Sequence, residues 1–96
     1  MERYAAEISA RFPPGTRLSR PRGGFVLWVE LPSHVDSLEL QERALAEKIV
    51  VAPGPIFSAS GGFRNFLRIG CGHLWTEETE RALQTVADIA RELAER

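Results

Sequence analysis

The 96-residue chain has one cysteine, Cys71, and one lysine, Lys48, and each scarcity closes off a class of explanation. A lone cysteine excludes an internal disulfide and suits a reducing compartment. Cys71-Gly72-His73 brings two metal-ligand types together, yet His34 is the only other histidine, too few donors for a structural zinc site. No apolar stretch approaches the roughly 20 residues that cross a bilayer, and the start has no signal-peptide core, so the expected location is cytoplasmic. A formal charge of −1 gives no net pull toward nucleic acid or an anionic membrane. Arg17, Arg20 and Arg22 cluster around Pro21 without interleaved aromatics, which reads as a solvated strand and turn.

Catalytic signatures are scarce too. Ser58 and Ser60 lack the Gly-x-Ser-x-Gly spacing of a nucleophile elbow. Gly23-Gly24 and Gly61-Gly62 lack the spacing of dinucleotide and phosphate loops and read as turns. Cys71 and His73, as near neighbours in sequence, are poorly disposed to exchange a proton. By itself the chain does not read as an enzyme.

What is present is an ordinary globular composition, 44% hydrophobic and 26% charged, enough for one modest core. Tyr4, Ala5, Ile8 and Phe12 recur at helical spacing until Pro13-Pro14-Gly15 ends the pattern. No cap precedes that helix, so the expectation is a piece of a longer protein. Thr16 to Ser19 can form a short strand. Phe25 to Leu31 is the strongest strand signal, and its near-continuous hydrophobicity predicts burial on both faces. Asp36 with Glu39 three residues on forms a capping-box pattern, opening a helix with an apolar line at Leu38, Leu45 and Ile49, Leu40 and Ala44 lying beside it. Lys48 falls at that helix's end. Ile49 to Ala52 reads as a short strand stopped by Pro53-Gly54-Pro55, and Ile56 to Gly62 as a loop. Thr76 caps a last helix whose buried stripe is Leu83, Val86, Ala87, Ala90 and Leu93. Trp28 and Trp75 read as core or seam residues. The order helix, strand, strand, helix, strand, strand, helix predicts an α+β fold: a small, mostly antiparallel sheet with helices packed on one face.

The segment Phe63 to Gly72 carries the most informative residue. Strand alternation puts Phe66 and Arg68 on one side and Leu67 and Ile69 on the other. A guanidinium in the middle of a β run is costly unless an anion meets it, and its planar fork suits a carboxylate. Two readings are open on this ground: Arg68 grips the carboxylate of an amino-acid-like ligand, or it reaches solvent or a local glutamate.

Taken together, Arg20 to Pro32 with its Gly-Gly-Phe-x-x-Trp, Val51 to Ser58 with its Pro-Gly-x-x-Phe, and Asn65 to Gly70 with Leu-Arg-Ile resemble the C-terminal small domain of fold-type I pyridoxal-phosphate aminotransferases. The likeness covers nearly all 96 residues as a single domain and is nearest to the MocR branch of GntR-family transcription regulators. It implies that Arg68 binds the α-carboxylate of a substrate or effector, and that Gly24, Phe25, Phe57 and Ser58 line the pocket. It implies a cytoplasmic, homodimeric parent that binds pyridoxal phosphate and an amino acid, and touches DNA only through a different, N-terminal domain. The family holds its cofactor on a lysine of the large domain, and Ala46-Glu47-Lys48-Ile49 does not resemble that motif. No cofactor is therefore expected on this piece alone. The alternatives are the small domain of a catalytic aminotransferase and a freestanding protein-interaction domain.

Overall fold

Two short polar side chains mark where the main helices begin. The computed structural model describes residues 2–19, 26–57, 60–70 and 75–95. Its elements are α1 (Glu2–Arg11), β1 (Arg17–Ser19), β2 (Val26–Glu30), α2 (Ser37–Ala46), β3 (Ala52–Pro53), a 3₁₀ turn (Gly54–Phe57), β4 (Phe66–Gly70) and α3 (Glu77–Ala94). Asp36 caps α2 by accepting from the Leu38 amide at 2.9 Å, and Thr76 caps α3 by accepting from the Thr79 amide at 3.1 Å. Each satisfies an amide that the first helical turn leaves without a partner.

The sheet is antiparallel throughout, in the order β1-β2-β4-β3. After β2 the chain crosses through α2 to β3 and leaves a gap one strand wide, which β4 fills. β4 is thus a central strand although it is the last to be made. Leu27 and Val29 of β2 and Leu67 and Ile69 of β4 are buried together with Tyr4 and Ile8 of α1, Leu40 and Ala44 of α2, and the Leu83, Val86, Ala87, Ile89, Ala90 and Leu93 stripe of α3. Fully burying one such aliphatic side chain contributes about 1.5–3 kcal/mol. All three described helices share this one core, so among the described residues the sheet has a packed face and an open face.

Several sequence expectations are corrected. β2 is not buried on both faces: Val26, Trp28 and Glu30 are only half-buried, because none of the described helices packs on their side of the sheet. The core line of α2 is Leu40 and Ala44, while Leu38 and Leu45 lie on its exposed side, Leu45 at 54% exposure. α2 ends at Ala46, so Lys48 lies beyond it, in the left-handed region at φ 63°. The Lys48 amide donates to Leu45 O and the Ile49 amide to Ala44 O, both at 2.9 Å, closing the helix end in a Schellman arrangement. β3 starts later than expected and includes Pro53, which an edge strand tolerates because a missing N–H can face outward. The stretch expected to be loop from Ile56 begins inside a 3₁₀ turn. Tyr4 meets Trp75 edge-on at 5.0 Å, and the Arg3 guanidinium lies 5.3 Å from the Trp75 ring centre, so Trp75 packs at the rim of the core. Cys71 and His73 lie outside the described residues.

Candidate functional site

The alternation of β4 decides which way its arginine faces. With Leu67 and Ile69 buried beneath the helices, Phe66, Arg68 and Gly70 fall on the open face. Arg68 is half-buried there, opposite Trp28 of β2 on one side and Ala52 of β3 on the other. Side chains paired this way have Cβ atoms roughly 4.5–5.5 Å apart. Three rings gather beside it: Trp28 to Phe63 at 5.9 Å, Trp28 to Phe66 at 6.1 Å and Phe63 to Phe66 at 5.3 Å between centres. Toward β3, Arg68 borders a groove of about 520 Å³ with Gln41, Val50, Ala52, Pro53 and Ile56. The surround is a cation bounded by aromatic rings on one flank and aliphatic side chains on the other. Low-polarity neighbours of this kind strengthen a charge-assisted hydrogen bond to an incoming anion.

The turn that feeds β4 is tied to both neighbouring elements. The Leu31 amide donates to Asn65 O, and the Asn65 carboxamide donates to Leu31 O, each at 2.7 Å. The Ser37 amide at the head of α2 donates to Arg64 O at 2.7 Å, and the Arg64 guanidinium pairs with Asp36 at 3.0 Å. Gly54, just after β3, is buried against this turn, where a Cβ would stand 2.2 Å from Phe63 O. The aromatic cluster and the Asn65 clamp escaped the sequence reading. Their signal was the Phe63-Arg64-Asn65-Phe66 run itself, read only as a strand.

Of the residues picked out from sequence, Arg68 stands on the open face beside the groove. Gly24, Phe25 and Ser58 lie outside the described residues, and of Phe57 only the backbone is described, at the end of the 3₁₀ turn. The only lysine, Lys48, lines a different hollow from the groove beside Arg68, the two sharing Val50. Lys48 is exposed and borders a hollow lined also by Glu47, Glu78, Arg81 and Thr85, side chains belonging to α3 and the end of α2. No cluster of metal-ligating side chains occurs among the described residues. None of the described helices is long and apolar enough to cross a membrane.

Comparison with known proteins completes the picture. The model of the class I and II aminotransferases matches residues 2–86. The uncharacterized HTH-type transcriptional regulator YjiR of Escherichia coli is 42% identical over 85 residues, which is 88% of this chain and 18% of that protein. The 2-aminoadipate transaminase of Thermus thermophilus is 42% identical over 62 residues, 65% of this chain and 16% of the relative. Among solved structures, the multiple substrate aminotransferase of Thermococcus profundus superposes with a TM-score of 0.84 at 23% identity, covering 99% of this chain and 24% of that one, a likeness of fold. The chain spans less than a fifth of the length of these two sequence relatives.

Proposed function

Because this chain belongs to the class I and II aminotransferase family, we propose that it forms, as one unit, the C-terminal small domain of a longer regulator of the MocR type, in which Arg68 holds the carboxylate of an amino-acid effector. The observation that carries this reading is the position of Arg68: a guanidinium on the open face of the sheet, flanked by Trp28 and Ala52 and bordering a groove. The 42% identity to an HTH-type regulator over most of the chain favours a regulatory parent.

In that parent the family's cofactor, pyridoxal phosphate, supplies an aldehyde that reacts with amines. Its lysine and phosphate contacts belong to the rest of the protein, because Ala46-Glu47-Lys48-Ile49 does not resemble the family's cofactor-lysine motif. The contribution of this chain is orientation. Arg68 fixes one end of the ligand through a forked, charge-assisted contact, while the aromatic and aliphatic flanks keep water from competing for it. Such a contact contributes about 1.5–3 kcal/mol. A ligand that binds the closed arrangement of domains better than the open one shifts the population toward closure, and the parent's DNA-binding part, a separate domain, reads that shift.

The test is DNA binding by the full-length protein with and without amino acid. An amino-acid-dependent change in DNA affinity supports the regulator. Steady conversion of an amino acid and a keto acid, with no DNA binding, would instead make the parent a catalytic aminotransferase, the reading favoured by the likeness to a 2-aminoadipate transaminase.

A further inference from the structure

We propose that Asn65 is a positioning residue for Arg68, holding the entry of β4 so that the guanidinium meets a carboxylate squarely; the proposal rests on the reading of Arg68 given above. The pairing of β2 with β4 runs from Val26 opposite Gly70 to Glu30 opposite Phe66. The next rung in that register is Leu31 opposite Asn65. A regular antiparallel rung of this kind would exchange two backbone hydrogen bonds. Here the Leu31 amide donates to Asn65 O at 2.7 Å, but the bond to Leu31 O comes from the Asn65 carboxamide, also at 2.7 Å. Asn65 sits in a turn closed by the Phe66 amide donating to Phe63 O at 3.0 Å. The side chain supplies the donor that an extended backbone would have offered, and the ladder gains one more rung before the chain turns.

That rung lies three residues before Arg68, between the turn tied through Arg64 to the head of α2 and the rungs that β4 makes with β3. Beyond it, β4 is held by β2 and by a β3 only two residues long. Register itself is secured by burial of Leu67 and Ile69, because a one-residue slip would drive Arg68 into the core. Loss of the Asn65 carboxamide therefore leaves the fold in place and loosens the start of the strand. A forked arginine–carboxylate contact tolerates only about 0.5 Å and 10–20° of misplacement, so the loosening appears first in ligand binding.

The experiment uses calorimetry on the full-length protein. The probes are the tightest-binding member of a panel of L-amino acids and the amine left when its carboxyl group is removed. Asn65→Ala is expected to weaken the amino acid roughly three- to tenfold, as loss of one hydrogen bond would, and to leave the amine unchanged. In an Arg68→Leu background the same substitution is expected to have no further effect, because the two act through one contact. Equal losses on both probes, or an undiminished loss without Arg68, would overturn the proposal and make Asn65 merely structural. If Arg68→Leu alone leaves the preference for the carboxylate intact, the reading of Arg68 fails, and the positioning role falls with it. Should Asn65→Ala not fold, Asn65→Ser, which keeps a short donor, is read by the same criteria.

Discussion

Replacing Gly54 with alanine adds a single methyl group at the point where β3 turns back toward β4, and the structure gives that methyl nowhere to go. It would stand 2.2 Å from Phe63 O, 2.7 Å from Phe63 Cβ and 2.9 Å from Phe66 Cβ. All three are backbone or first side-chain atoms, so no flexible tip can swing aside. The turn must open by about 1 Å to restore ordinary contact distances. Overpacking of a well-packed site costs about 1–3 kcal/mol, and the upper half of that range applies where backbone has to move. The intrinsic backbone preference runs the other way, since alanine in regular structure is favoured over glycine by about 0.5–1 kcal/mol. The sign of the change therefore discriminates between the two effects. A net loss of about 2 kcal/mol lowers the melting temperature of a domain this size by roughly 8–16 °C. Urea unfolding of Gly54→Ala beside the parent chain reads it directly: the midpoint falls and the slope stays the same. An unchanged or raised midpoint would refute the claim that close packing at Gly54 holds the Phe63–Phe66 turn.

Two further substitutions test local claims. Lys48 occupies the left-handed position of the α2 terminus, where glycine is the usual residue. Relief of the roughly 1–2 kcal/mol left-handed penalty, less glycine's extra chain entropy, predicts that Lys48→Gly raises stability by about 0.5–1 kcal/mol, seen as a higher urea midpoint. Thr76→Ala removes the hydroxyl that accepts from the Thr79 amide and should cost about 1 kcal/mol. Hydrogen exchange should speed up in the first turn of α3 and not at Leu93, and uniform change along the helix would contradict a capping role.

What could be read from the sequence was local chemistry. Asp36 and Thr76 announced their helices because a cap acts within three residues of itself. The facing of Arg68 followed from alternation with Leu67 and Ile69, a pattern with a period of two residues. The errors came from questions that local pattern does not answer. Trp28 made β2 look buried on both faces, since an apolar strand reads the same whether its second face is covered or open. Leu38 and Leu45 drew the α2 stripe to the wrong side because apolar residues occur on both flanks of that helix. Pro53 looked like a terminator, and its place in an edge strand depended on which side lacked a neighbour. The clamp at Asn65, hidden in a run read only as a strand, emerged when the register set it opposite Leu31. The class I and II aminotransferase family was legible because its Gly-Gly-Phe-x-x-Trp, Pro-Gly-x-x-Phe and Leu-Arg-Ile segments occur in order at suitable spacing.

Amino-acid binding by the full-length protein, before and after Arg68→Leu, bears most directly on the central claim. Removing a forked contact of about 1.5–3 kcal/mol should weaken the amino acid roughly ten- to hundredfold while the cofactor stays bound. The same affinity in both proteins would contradict it.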